Sequence, residues 1–552
     1  MAGRLRRGSR LPLLTDTLRA HRTGAVVWVV AGGLAMYGMA LALATEFRDF
    51  PGGPEALAAS ILPSAEAMRP LRWPAERIDT LGGYLTWHNV MVLNLILAVY
   101  GAIQGAGAVR GAEDRRSLDE VLATGTSRGA VIRTRTLGFV LAMVPVSLGL
   151  GLATAAGMAG AGEPDLAGSM ITMGISGLVA VAGFGLGLLV SQLTTSARAA
   201  GGASAVGLTA LYVVTNTGEG LGVLSALRFV SPFHWANHSR ALVPGHHLDL
   251  PATAALVALA ATLVVLATLA FTRRDYAAPL WSRRPTAGAG PAVVRVPTAL
   301  LRSVWTATLR RGRFGLAAWA AGAAVLTALM ASLQPTVMEA WSAFDWLGAI
   351  TGGGAGISVD VAYWGFAAEI VTPVVAAFVI TQTSGWVADL AQGRVETLLA
   401  GPVSWTRLVV ERLVALVVGV LVVTTVALGA LVLVAGAVGG TLDAAGLGRV
   451  AGVSGLLGAA LGGVAAIAVA GLRRGAAVTA LAVVVGASYL VTFLAPMFGW
   501  PEWTNRLSVF WAFGHPYVEW PPASGLAVLA VLAVPGAALA AAIAERTAKV
   551  AG

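Results

Sequence analysis

SLDEVLATGTS at residues 117–127 returns 277 positions later as RVETLLAGPVS at 394–404. In that register Leu122 falls on Leu399, Ala123 on Ala400, Ser127 on Ser404 and Arg135 on Arg412. The same offset lays YVVT at 212–215 over YLVT at 489–492. Two matches in one register, nearly a hundred residues apart, mark a duplicated unit.

Each copy lies between long apolar runs. Residues 25–45, 131–158 and 413–438 each hold about twenty or more uncharged residues, enough to cross a hydrocarbon core of about 30 Å at about 1.5 Å per residue. Candidate spans fall at 25–45, 86–109, 130–158, 167–193, 200–217, 251–272, 314–335, 363–388, 408–436, 446–471, 476–497 and 524–544. The composition agrees: 57% of residues are hydrophobic and 12% charged, where soluble domains carry about 25% charged residues. Only a lipid solvent tolerates so apolar a surface. The fold class is therefore an all-α polytopic membrane protein of about twelve transmembrane helices, arranged as two parallel six-helix repeats. Residues 1–272 form the first half, 273–300 a linker rich in Pro, Gly and Arg, and 301–552 the second half.

Arginine counts orient the spans. Residues 1–24 hold six arginines and one acid, and residues 273–313 hold nine and one; both are expected in the cytoplasm. Residues 46–84 hold four arginines and six acids, and 336–362 hold Glu339, Asp345, Asp360 and no base; both are expected outside. Both termini are then cytoplasmic, with Arg198, Arg473 and Arg474 in inner turns. The first apolar run is too long for a signal-peptide core and lacks a small-residue cleavage site, so it reads as a retained span. Residues 11–22 and 300–313 read as separate amphipathic, interfacial leaders before the first and seventh spans. The net charge of +10 is spread as topogenic arginine, which points to a membrane and not to nucleic acid. With no cysteine, disulfides and thiolate chemistry are excluded.

The repeated segment occupies the short connection after spans two and eight. It reads as a brief helix with an apolar face of Leu118, Val121 and Leu122, mirrored by Val395, Leu398 and Leu399. Arg115, Arg116, Asp119 and Glu120 make the polar face of the first copy; Arg394 and Glu396 make that of the second. Two such helices suit a partner with two equivalent sites.

ETLLAGPVS at 396–404 resembles the coupling segment of the ABC-2-type permeases of ABC exporters. The first copy departs from that pattern, with Gly125 where the second has Pro402. The resemblance extends to the leaders and to the aromatic segments LRFVSPFHW at 227–235 and LSVFWAFGHP at 507–516. The arrangement is similar to the permeases of bacterial polyketide-antibiotic and multidrug exporters, and it implies a type V exporter-like fold in a bacterial plasma membrane. It also implies two copies of a separate ABC ATPase subunit, bound through Arg115, Arg116, Leu118, Asp119, Glu120, Leu122 and Ser127, and through Arg394, Glu396, Leu398, Leu399, Pro402 and Ser404. ATP and Mg would sit on those partners, and no cofactor or metal is expected on this chain. Independently, the sequence has no Gly-rich turn leading into Lys-Ser/Thr; its one lysine, Lys549, lies in the tail. The chain thus reads as a transport subunit without catalytic residues.

Polar residues in spans are few. Glu369 either lines a transport path or lies near the outer interface and bonds a neighbouring helix. Asn89 and Asn94 in span two, Phe366 in span eight, and the repeated pairs Tyr212/Thr215 and Tyr489/Thr492 are path candidates; helix joining and aromatic anchoring are the alternatives. His234, His238, His246 and His247 match no familiar metal spacing. A hydrophobic or amphipathic small molecule is the expected cargo. Two other readings fit a twelve-span chain: a secondary transporter of the major facilitator type, whose loop after span two GAEDRR at 111–116 resembles, and a membrane scaffold subunit.

Overall fold

A computed structural model of the chain describes residues 11–67, 73–276, 278–281, 303–341, 358–472, 476–497 and 500–551. Every regular element among them is helical. In lipid a backbone must satisfy its own hydrogen bonds, and long apolar stretches do so as helices. Eleven helices are long and apolar enough to cross a membrane: Pro12–Asp49, Leu81–Asp114, Arg128–Gly160, Leu166–Leu193, Ala197–Thr217 and Leu250–Arg273, then Val304–Pro335, Val359–Ala391, Trp405–Ala437, Ala444–Gly471 and Ala523–Thr547. The remaining expected span, the eleventh in chain order, is the helix Ala476–Met497, whose apolar part is shorter.

Short polar residues start these helices where the sequence supplies them. Ser127, Asp165, Asp249, Ser358, Ser404 and Asp443 each accept a hydrogen bond from the first turn, the N-cap arrangement. Duplication is visible in the lengths. The third and ninth spans both have 33 residues, and the fourth and tenth both have 28.

The chain divides into two units, Met1–Ala289 and Gly290–Gly552. In the first, spans two and four pack backbone to backbone. A Cβ added at Gly183 would lie 2.1 Å from the Ala98 carbonyl oxygen, and one at Gly187 1.9 Å from that of Ala102. Bare glycine is what lets the two backbones approach, as small-residue stripes do in membranes. In the second unit, a Cβ at Gly463 of span ten would lie 2.1 Å from the Leu532 carbonyl oxygen of span twelve. Span seven is tied to span nine by the Thr327 hydroxyl, which donates to the Ala427 carbonyl at 2.6 Å.

Two expectations are corrected. The leader at 11–22 is not a separate helix: Leu11–Val27 continues through a π-turn at Trp28–Gly32 into Gly33–Asp49. Likewise Val304–Trp341 is one helix; residues 300–302 of the second leader lie outside the described residues. Nothing between leader and span breaks either helix, and Thr17 buries itself against Gly138 of span three. The segment 46–84, read from its charges only as an outer stretch, carries structure of its own. It contains the helix Gly53–Ala67, whose Leu57 is buried in the core of the first unit. Most of the linker, residues 342–357, Arg473 and Arg474 lie outside the described residues.

Candidate functional site

Each repeated segment begins with a reversal of the chain. Arg116 stands at φ 60° and ψ 7°, and its mate Gly393 at φ 68° and ψ 13°, both left-handed. That single residue lets span two or eight stop and a short helix start at a new angle: Ser117–Ala123 in the first copy, Arg394–Leu399 in the second. Ser127 then accepts from the Ala130 amide at 3.3 Å and Ser404 from the Arg407 amide at 3.2 Å, opening spans three and nine at equivalent positions.

The faces fall as the sequence expects in the first copy and, except for Leu398, which is exposed, in the second. Leu118 is fully buried, and Val121 and Leu122 pack partly buried against the core of the first unit. Arg115, Arg116, Asp119 and Glu120 are exposed. In the second copy Val395 is buried and Leu399 half-buried, while Arg394, Glu396, Leu398 and Pro402 are exposed. The two helices therefore present polar surface from apolar seats.

What holds those seats differs. Beneath the first helix, Glu113 binds Arg110 Nη1 at 2.9 Å through one oxygen and Arg274 Nη2 at 2.6 Å through the other. All three side chains are 1% exposed. Arg110 also donates to the Ser191 and Ala278 carbonyls, and Arg274 to Gln192 Oε1 at 2.7 Å and to the Ala278 carbonyl at 3.0 Å. Tyr276 stands beside Asp119; desolvation foremost, then the neighbouring Asp119 carboxylate, pushes its pKa up to about 12. Beneath the second helix, Asp389 binds Arg394 at 2.7 Å, Arg412 at 3.1 Å and Arg311 at 3.5 Å. Arg110, Glu113, Gln192, Arg274 and Tyr276 were not singled out by sequence. Arg110 and Glu113 stand three apart at the end of an apolar span, which is a readable pair, but Arg274 is 161 residues away from Glu113.

The opposite ends of the two halves repeat as well. Tyr212 meets Phe233 edge-on at 5.2 Å and Tyr489 meets Phe510 edge-on at 5.9 Å. The Thr215 hydroxyl donates to Ser231 Oγ at 2.8 Å and that of Thr492 to Ser508 Oγ at 2.6 Å. Ser231 and Ser508 in turn precede the short helices Pro232–Ala236 and Val509–Phe513. Each Tyr/Thr pair thus pins the aromatic return segment that follows its span.

Comparison with known families fits this duplicated, two-handled bundle. Residues 21–276 match the family described as ABC-2 family transporter protein. Residues 301–544 match the C-terminal domain of the multidrug efflux system permease Rv1217c. Between them the two matches take in nearly the whole chain. The chain is an ABC-2-type exporter permease. No curated protein matches it significantly. Permease families are transport subunits, not enzymes, and these matches set aside the major facilitator reading.

In the permease the other path candidates occupy distinct places. Glu369 stands where the helix Val359–Glu369 gives way to Val371–Ala391. Its carboxylate takes His515 Nδ1 at 2.9 Å and the Tyr517 amide at 3.3 Å, clasping the second return segment to span eight. Phe366 is exposed on the helix just before it. Asn89 is half-buried in the π-turn Thr86–Val90. Asn94 is buried and lines a small cavity with Thr86, Thr172, Asn237, Ser239 and Arg240. Asn94 Oδ1, Thr172 Oγ1, Asn237 Nδ2 and Arg240 Nε are buried without a protein partner. Two donors, an acceptor and a hydroxyl around room for about one water are the complement of a single water molecule. A second small cavity, among Thr308, Phe378, Gln382, Trp386 and Arg412, is of similar scale. Neither approaches the roughly 300–1,000 Å³ that a drug-sized ligand fills. Of the histidines, His246 Nε2 meets Glu76 Oε1 at 2.9 Å, and His234 packs on Phe229, Trp235 and His238. Among the described residues no group of three or more His, Cys, Asp or Glu is placed to hold a metal ion.

Proposed function

We propose that the permease is driven by two copies of a separate ABC ATPase subunit, which carry ATP and Mg and dock on the helices Ser117–Ala123 and Arg394–Leu399. Closure of the ATPase pair pushes on both helices and shifts the bundle between inward and outward access. The cargo is a hydrophobic or amphipathic small molecule, an antibiotic or drug, moved outward across a bacterial plasma membrane. Both termini lie in the cytoplasm. ATP supplies one bias on the equilibrium and the cargo another, each limited by its differential affinity for the two states.

The observation that carries this reading is the conserved mechanical frame of the two helices. Each has a left-handed residue before it, a buried apolar anchor within it and a serine-capped 33-residue span after it. A mere turn needs none of this twice.

The test is co-reconstitution with the cognate ATPase in nanodiscs. Glu120→Arg and Glu396→Arg alter exposed residues and leave the apolar seats intact. Each is expected to abolish cargo-stimulated ATP hydrolysis while the permease alone keeps its melting temperature. Wild-type stimulation in both variants, or ATP hydrolysis by the isolated chain, overturns the assignment.

A further inference from the structure

The two docking helices repeat each other in backbone, yet they stand on foundations of different kinds. The first rests on Glu113 held between Arg110 and Arg274, all three 1% exposed. The offset of 277 puts Val387, Leu390 and Ala551 in the places of Arg110, Glu113 and Arg274, so the second half has no copy of this triad. The second helix rests on Asp389, itself 23% exposed, which holds the 10%-exposed Arg412 of span nine, while its pair to the docking helix, Arg394, and its third partner, Arg311, are 46% and 64% exposed.

The first foundation also gathers more of its unit. Arg110 belongs to the end of span two and reaches the last turn of span four through the Ser191 carbonyl. Arg274 follows span six and reaches Gln192. The chain just beyond span six folds back over them. The Ala278 carbonyl accepts from both arginines, and the Leu280 amide donates to the Gln192 carbonyl at 2.9 Å. Arg128, at the start of span three, donates to the Arg274 carbonyl at 2.8 Å. Tyr276 of the same strap stands beside Asp119 of the docking helix itself. Ends of four spans and the strap join one network built around the two arginines that hold the Glu113 carboxylate.

We propose that Glu113 is a positioning residue that locks the first docking helix to spans two, three, four and six as one body, whereas the second docking helix is held compliantly by solvent-screened ion pairs. The inference rests on the docking role proposed above, and it adds that the partner's two footholds are mechanically unlike. Force on the first helix moves the ends of four spans together. Force on the second is taken up first by its own hinge at Gly393.

Screening separates the two. Raising salt from 0.05 to 1 M shortens the Debye length to about 3 Å, which weakens exposed pairs and leaves buried ones nearly untouched. Amide hydrogen exchange is followed on the full chain in nanodiscs, without ATPase. Over that range, exchange across residues 389–400 is expected to quicken about two- to five-fold, the scale of an exposed ion pair. Exchange across residues 112–124 stays unchanged. Glu113→Gln is expected to quicken the 112–124 segment at least ten-fold, since it strands buried guanidinium groups, with residues 166–180 at the far end of span four unchanged. Equal salt responses in the two segments overturn the proposal, and so does a wild-type exchange rate at 112–124 in Glu113→Gln. If that variant fails to fold, Arg110→Lys and the salt series on the unaltered chain decide the matter. Because no ATPase is present, failure here is distinct from failure of the docking assignment, which only the reconstitution above tests.

Discussion

His515 and Glu369 hold each other at 2.9 Å, and that hydrogen bond, against the opposing cost of burial, raises the His515 pKa above its ordinary 6.5. Folding therefore favours the protonated ring. Its stabilisation is complete below about pH 6.5 and is lost as pH climbs through the raised value. His234 in the other return segment behaves oppositely: burial foremost, then His238 and Arg228, push its pKa down to about 4. Its neutral form is favoured, so stability is complete above about pH 6.5 and is lost as pH falls toward 4. Alkali is thus expected to loosen residues 507–519 and acid residues 229–238. The effect is at most about five-fold in local hydrogen exchange, because the His515 side chain is 56% exposed and such pairs are worth about 0.2–1 kcal/mol. Glu369→Gln should abolish the alkaline response alone; an unchanged response would disprove the clasp. The left-handed residues give a second test at this scale. A side chain at positive φ costs about 1–2 kcal/mol, a cost glycine does not bear. Arg116→Gly should raise the melting temperature of the isolated permease and Gly393→Ala should lower it, each by about 1 kcal/mol of stability. Sequence alone hid this, because Arg116 reads there as one more polar-face residue of the repeated helix.

The positions of the spans were legible because lipid asks one thing of every span, and an apolar run answers it in plain sequence. How the helices sit against one another was not, since it depends on which glycines meet a backbone. Gly174, Gly183 and Gly187 all lie on span four and look alike in sequence. An added Cβ at Gly174 meets open space, whereas at Gly187 it lies 1.9 Å from the Ala102 carbonyl oxygen. Gly174→Ala should therefore be neutral or stabilise by up to about 1 kcal/mol, through helix propensity. Gly187→Leu should force spans two and four apart and cost about 1–3 kcal/mol or more, as overpacking does. Fluorescence size-exclusion profiles and melting curves in detergent check both. A Gly187→Leu variant as stable as wild type would contradict the backbone contact. The leaders at 11–22 and 300–313 escaped sequence reasoning for a related reason. Arginine and leucine mixed before a span look interfacial, yet with no breaker the helix simply runs on, and Thr17 finds a seat on Gly138. Gly53–Ala67 escaped because a charged outer stretch gives no periodic signal of the core that receives Leu57.

At the scale of the whole chain, duplication was readable because a single offset of 277 aligned two separated segments. The structure extends that register to the Thr–Ser pins, the serine caps and the paired 33-residue spans. Where the halves diverge, the sequence shows which residues differ but not what they hold. Glu113 finds Arg274 only through the fold, and pairing across 161 residues has no local signature. Divergence beneath a shared frame makes a prediction about the assembled exporter. If one closing ATPase pair grips both helices, as proposed, the two docks act in series, so losing either should stop coupling, and losing both should cost little more. The ATPase stimulation lost in Glu120→Arg with Glu396→Arg together should therefore fall far short of the sum of the single losses, because effects add only for independent sites. Strict additivity would mean that each half is driven separately. The docks should still differ in salt: at 1 M, coupling lost through the partly exposed Asp389–Arg394 pair should be recovered on dilution, and Asp389→Asn should mimic high salt at 0.05 M. Measured as ATP hydrolysis against salt in one reconstituted system, a matching response in Asp389→Asn and salt-treated wild type would tie the loss to the second dock. Insensitivity of the wild type to salt would remove the mechanical difference that the two foundations imply.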